Sequence, residues 1–137
     1  MTETSATMGR LPHASDKSGT LSPLEEGVLW EMEERFWTSG ANSARATTAT
    51  NAIMVFPYPP GILQGDQIWT HLRERTGWYT VVMAARRVMR CRDIAILTYR
   101  VSAEKPDVPI YEALCASTYL KDEGVWLRIS HQQTAVI

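Results

Sequence analysis

Two cysteines in 137 residues, Cys91 and Cys115, are too few and too poorly spaced for most of what cysteine does. They form no C-x-x-C pair and no histidine cluster stands near either, which argues against a zinc site or a disulfide framework and leaves two buried thiols. Charge of one sign is also lacking. Fourteen Lys and Arg against fifteen Asp and Glu give a formal net charge of −1, so no field recommends nucleic acid or an acidic membrane surface as a partner. No apolar run approaches a membrane span, and Met1 to Thr20 has no apolar stretch of the kind a secretory leader needs. The expectation is a cytoplasmic protein without a membrane partner. A Gly-rich phosphate loop and a G-x-S-x-G nucleophile elbow are both missing, so nucleotide and hydrolase readings lose their main support. Nothing in the residues asks for a cofactor or a metal.

What is present fits one globular domain: 45% of the residues are hydrophobic and 21% charged, enough for a core without staples. Met1 to Thr20 is small and polar with no apolar period and is expected to be a flexible tail, with the domain running from residue 21 to residue 137. Ser22-Pro23-Leu24-Glu25 is a helix start, with a capping hydroxyl, a proline at the first helical position and a glutamate to complete a capping box. The helix is expected to run to about Ser39 and to end on a left-handed Gly40. Its apolar stripe reads as Leu21, Leu24, Val28, Leu29, Met32 and Phe36, which puts Trp30, Trp37, Glu26 and Glu33 on the other side. Ala41 to Thr50 is a poor helix by propensity, though Asn42 could cap a short helix packed by its neighbours. Asn51 to Phe56 reads as a strand that the Pro57 to Gly61 loop stops, since prolines remove backbone donors. Asp66 is expected to cap a further helix that faces inward with Ile68, Trp69 and Leu72 and ends at Gly77. Trp78 to Arg90 follows as a strand apolar on both faces.

The last third carries the clearest pattern. Asp93 to Ala103, Val108 to Leu120 and Val125 to Thr134 are rich in Ile, Val, Tyr, Thr and Trp and are separated by Lys105-Pro106-Asp107 and Lys121-Asp122-Glu123-Gly124, the pattern of antiparallel hairpins. Helices first and strands after make an α+β domain, with three N-terminal helices covering a curved, mainly antiparallel sheet. The sheet's other face would carry Ile94, Ile96, Ile110 and Leu114, too apolar to leave wet, and a second copy of the chain is the simplest cover.

Glu34-Arg35-Phe36-Trp37-Thr38-Ser39-Gly40, Ile53-Met54-Val55-Phe56-Pro57 with Gly61, and Gly65-Asp66-Gln67-Ile68-Trp69 appear in an order that is informative. With Leu97-Thr98-Tyr99-Arg100-Val101 and Gly124-Val125-Trp126 leading to His131-Gln132-Gln133-Thr134, they resemble the nuclear transport factor two-like superfamily from about Leu21 to Val136. That superfamily holds ketosteroid isomerases, SnoaL-type polyketide cyclases and many small bacterial proteins, and the resemblance implies its cone-shaped fold and homodimers. It does not bring isomerase chemistry. The base position before the proline looks like Phe56, and the positions resembling the oxyanion donors hold Glu33 and Ala116.

His131 is the strongest single candidate for proton chemistry, because imidazole titrates near neutrality and Gln132 and Gln133 flank it. His71 and His13 rank below it. Asp66 and Asp93 read as a cap and a turn residue, and the face occupied by Glu112 is open. Arg86, Arg87, Arg90 and Arg92 read as a solvated strand end rather than a nucleic-acid patch. Two functional classes remain. One is a binding module whose cone, lined by Met54, Phe56, Tyr58, Trp69, Tyr99 and Tyr111 with Gln133 on its polar wall, holds a small apolar or aromatic molecule. The other is a SnoaL-like cyclase, isomerase or dehydratase with His131 as acid or base.

Overall fold

The Ser22 hydroxyl accepts a hydrogen bond from the Glu25 backbone N–H at 3.1 Å, and Pro23 opens helix α1, Pro23–Thr38. The structure, a computed structural model, describes residues 18–136. The Glu25 carboxylate in turn interacts with the Ser22 backbone N–H, as a capping box requires. It also reaches Arg90 at 3.3 Å and Lys121 at 2.8 Å, tying the first turn of α1 to two strands. The helix ends at Thr38 with Ser39 extended, and Gly40, at φ −79°, caps the next helix rather than adopting a left-handed conformation.

Seven strands and three helices follow one another as β1 Ser18–Gly19, α1, α2 Ala41–Ala46, β2 Thr48–Val55, β3 Ile62–Gln64, α3 Asp66–Arg73, β4 Thr80–Cys91, β5 Ile94–Glu104, β6 Tyr111–Asp122 and β7 Val125–Ala135. They form one sheet in the order β1-β4-β5-β6-β7-β2-β3, antiparallel throughout except where β2 lies parallel to β7. The α+β class and the mainly antiparallel sheet agree with the sequence reading. Of the stretch read as a tail, Ser18 and Gly19 pair with Cys91 and Arg90, and residues 1–17 lie outside the described residues. Among the described residues no helix is long and apolar enough to cross a membrane.

The buried face of α1 differs from the expected stripe. Leu29, Trp30, Glu33, Phe36 and Trp37 are buried, whereas Leu24 is 80% and Val28 42% exposed. A hydrophobicity wheel cannot find this face, because its centre is a carboxylate and its flanks are indoles. Trp30 meets Tyr99 edge-on at 5.8 Å and Trp37 lies 6.1 Å from Tyr111, so both indoles pack on the sheet. Strand β4 also departs from expectation: Val82 and Met89, with Tyr79 just before the strand, are exposed and Met83 alone is buried, since only β1, a two-residue strand, lies beyond it. An irregularity between Ala84 and Arg87, with Ala85 at φ 54°, breaks its alternation.

Strands β5 and β6 alternate as read, and β7 does so on either side of an irregularity after Arg128. Ala95, Leu97, Tyr99 and Val101 face the helices with Ala113, Cys115, Ser117 and Tyr119, all buried. Ile94, Ile96 and Leu114 face the other way, and Ile110 precedes β6 and is 58% exposed. Helix α3 begins after Gly65, whose φ of 61° suits glycine, and stops at Arg73, so Gly77 does not end it. Gly77 instead lets the chain pass against the end of α1: the Trp78 N–H bonds the Trp37 carbonyl at 3.0 Å, and a Cβ on Gly77 would sit 2.5 Å from the Thr38 carbonyl oxygen. Gly77→Ala is expected to cost roughly 1–3 kcal/mol of stability, read as a lowered urea midpoint at unchanged slope.

Candidate functional site

Between α1 and the sheet lies a chain of buried polar groups centred on Glu33, which is fully buried. Its Oε1 accepts from the Tyr119 hydroxyl at 2.5 Å and from Arg128 Nη2 at 3.4 Å; its Oε2 accepts from Tyr99 and from Ser117, each at 2.5 Å. Four donors on two oxygens fill a carboxylate's lone pairs. Arg128, also fully buried, gives further hydrogen bonds to the Tyr119 hydroxyl, the Thr48 hydroxyl and the Met32 carbonyl, and stacks 4.6 Å from the Phe36 ring. The Trp37 indole N–H donates to Tyr99 at 2.9 Å.

Sheet register places these groups. Tyr119 pairs with Arg128 and Ser117 with His131, while Ile129 between them has no partner on β6. In regular alternation Arg128 and His131, three apart, would fall on opposite faces, and the extra residue offsets that odd spacing. With it both point at α1.

From Glu33 the chain continues outward. Ser117, having donated to Glu33, accepts from His131 Nδ1 at 2.7 Å; His131 Nε2 accepts from the Gln133 amide at 3.0 Å; and the Gln133 carbonyl accepts from the Tyr111 hydroxyl at 3.0 Å. This sequence holds only if the imidazole is neutral with its proton on Nδ1, since a cationic ring has no acceptor to offer Gln133. Burial pushes the His131 pKa down, against the pull of Glu33 and with help from nearby Arg128, so the neutral ring is the form at neutral pH. For Glu33 burial acts to raise the pKa, but Arg128, His131 and Ser117 outweigh it and hold the carboxyl well below the usual range. Burial drives the Cys115 thiol up to about 12 and Tyr111 also to about 12, which leaves both protonated.

The chain ends at a cavity of about 500 Å³ bounded by the end of α1, the Pro57–Pro60 segment, α3 and the start of β6. Phe36, Trp37, Phe56, Trp78 and Tyr111 supply its rings and Gln133 an amide. Of the residues singled out in the sequence, Phe56, Tyr111 and Gln133 line it. His131 is 1% exposed and sits behind them, 4.6 Å from the Phe36 ring and 6.2 Å from that of Phe56. Met54 and Tyr99 are buried in the core, Trp69 is buried beneath Arg45, and Tyr58 is 89% exposed. His71 lines the cavity, 5.0 Å from the Phe56 ring. Glu112 faces outward and pairs with Arg100 at 2.7 Å, and Ala116 lies on that outward face between the inward Cys115 and Ser117, so the position aligned with an acid donor does not reach the interior. Sequence reasoning missed Glu33, Ser117, Tyr119 and Arg128 as a group. The available signal was one-sided: Arg128 stands between Leu127 and Ile129, whereas Glu33 lies in the charged run Glu31-Met32-Glu33-Glu34-Arg35 and reads as a surface residue.

No protein-family model matches the chain and no curated protein matches it by sequence. Solved structures do. A protein assigned as a ketosteroid isomerase from Parabacteroides distasonis superposes with a TM-score of 0.73 at 18% identity, covering 85% of this chain and 93% of its own. A nuclear transport factor two-like protein from Cytophaga hutchinsonii gives 0.70 at 11%, covering 82% and 98%. The association domain of Caenorhabditis elegans CaMKII gives 0.66 at 13%, covering 80% and 91%. The fold is that of the ketosteroid isomerase-like α+β proteins. More particularly, the chain has the nuclear transport factor two-like fold, as the sequence resemblance implied.

The buried network makes stability depend on pH with a fixed sign. Below the ordinary histidine value of 6.5 the unfolded chain takes up a proton that folded His131 refuses, and below 4.5 the same holds for Glu33. Stability is therefore full above about pH 6.5 and falls in two stages on acidification, and His131→Gln should reduce the first stage in thermal unfolding. A profile flat from about pH 7.5 to 5 would contradict this. Glu33→Gln strands Arg128 and should cost about 3–5 kcal/mol in urea unfolding.

Proposed function

We propose that the chain binds a small, largely apolar or aromatic molecule in the cone-shaped space between its helices and sheet. The observation that carries this is the cavity's construction: rings of Phe36, Trp37, Phe56, Trp78 and Tyr111 surround a single amide, Gln133, whose orientation is set from behind. A few fixed polar groups in an apolar wall are what orient a ligand without supplying chemistry. In this reading Phe56, Tyr111 and Gln133 touch the ligand, while Met54, Trp69 and Tyr99 hold the walls and Tyr58 stands on the proline loop at the rim.

Proton chemistry of a SnoaL-like kind is the second reading, favoured by the Glu33–Ser117–His131 chain, which has the parts of a proton relay. It ranks below binding because both imidazole nitrogens are engaged and Gln133 stands between the ring and the cavity. A homodimer through the outward face of the sheet is proposed with it, supported by Ile94, Ile96 and Leu114 on that face and by the association domains among the similar structures.

A thermal-shift screen of aromatic compounds followed by titration separates these readings. Phe56→Ala should weaken a true ligand by at least about tenfold, since burying a ring of this size is worth roughly 1.5–3 kcal/mol. Turnover of a hit that His131→Ala abolishes would favour the enzyme. Sedimentation as a monomer at micromolar concentration would dispose of the dimer.

A further inference from the structure

The charged side chains that line the cavity are all basic. His71, Arg75 and Lys105 line it, and no aspartate or glutamate does among the described residues. Arg35, Arg90, Arg100, Lys121 and Arg128 each meet a carboxylate within 4 Å. Neither Arg75 nor Lys105 does so among the described residues. Arg75 Nη1 lies 3.2 Å from His71 Nε2, and Lys105 Nζ donates to the Thr76 carbonyl at 3.1 Å and to its hydroxyl at 3.3 Å while resting 4.7 Å over the Trp78 ring. These contacts hold both cations in place without neutralising them. A guanidinium keeps most of its five donors after one contact, and an ammonium one of its three after two.

Resting on the pocket reading above, we propose that the ligand is an aromatic monocarboxylate, its ring system between Phe36, Phe56 and Tyr111 and its carboxylate on Arg75 and Lys105. A guanidinium fork matches a carboxylate two-to-two, and an ammonium beside it adds attraction without geometric demand. A cavity of about 500 Å³ takes a one- or two-ring acid with ease. Since Tyr111 and Gln133 bond each other and the other polar side chains of the wall, Ser39 and Thr76, are neutral hydroxyls, the attraction for a full negative charge comes from the basic residues, and the two ends of the ligand are told apart.

The test is calorimetric titration of the full chain with naphthoate, with its neutral isostere naphthamide, and with naphthyl phosphate, in the wild type and in Arg75→Gln and Lys105→Gln. Arg75 is exposed and Lys105 half-buried, and neither belongs to the Glu33 network, so both variants should fold, which thermal unfolding verifies. Naphthoate should bind about tenfold tighter than naphthamide, an advantage that Arg75→Gln removes while naphthamide is unaffected and that shrinks as salt rises. Equal affinity for acid and amide would overturn the proposal and leave the cavity reading standing. Tighter binding of the phosphate than of the carboxylate would overturn the carboxylate assignment, and failure of all three to bind would overturn the proposal and the cavity reading together.

Discussion

The ion pair of Glu33 with Arg128 is the constraint to which the interior is fitted. Both groups are fully buried, and taking two charges out of water costs several kcal/mol per ion before their attraction returns any of it. Such a pair is tolerable only if nearly all of its remaining lone pairs and N–H groups find partners, and this explains the otherwise odd polarity of the surrounding core. Tyr99, Ser117 and Tyr119 spend their hydroxyl protons on one carboxylate, and Thr48, Tyr119 and the Met32 carbonyl receive the guanidinium. The Arg128 Nε has no partner, so the compensation is close to complete without being full. Helix α1 can present only the face that carries Glu33, and β6 and β7 can adopt only a register that brings Ser117, Tyr119, Arg128 and His131 to it. Position and orientation of the helix on the sheet are thereby specified by polar groups, where an all-apolar interface would admit sliding.

The network also determines the outermost residue of the chain. Because Ser117 donates to Glu33, it must accept from His131; because His131 then has only Nε2 left as an acceptor, the Gln133 amide must face it nitrogen first. The carbonyl is turned toward Tyr111 as a result. An uncommitted glutamine presents either end at little cost, whereas this one is set by a carboxylate several bonds away. The cavity's aromatic walls and its polar wall therefore have different origins, the first in ring packing and the second in the electrostatics of a buried charge.

Strand periodicity in the last third was legible because its two faces differ: Ala95, Leu97, Tyr99 and Val101 against Ile96, Thr98 and Arg100 is an alternation that only one assignment satisfies. The start of α1 was legible for a local reason, the Ser22 cap and Pro23. Its buried face was not, because hydrophobic patterning scores Glu33 as a surface residue and cannot know that Arg128, nearly a hundred positions later, will meet it. Glycine misled in both places where it was read as a helix terminator, Gly40 capping the following helix and Gly77 serving a close backbone approach. Of the site, Phe56, Tyr111 and Gln133 could be anticipated from their strand ends and alternation, while His71, Arg75 and Lys105 depend on how α3 and the turn before β6 come together in space. Three-dimensional proximity of that kind leaves no local trace in a single chain.

The unpaired Ile129 gives chain length a meaning in β7. Side chains beyond it point where they do because two residues of this strand stand against one of its neighbour. If a descendant of this sequence lost Ile129, Ser130 would follow Arg128 directly and the pairs Arg128 with Tyr119, Ser130 with Thr118 and His131 with Ser117 could all be kept in plain alternation, so His131 and Gln133 would still face the interior. One residue gained between Ser130 and His131 would do the opposite, turning His131 and Gln133 outward and bringing Gln132 inward opposite Cys115. A strand can thus shed a residue at its bulge at little cost to the cavity, whereas a single codon added a few positions later would rewrite the polar wall wholesale and leave the outline of the fold nearly the same.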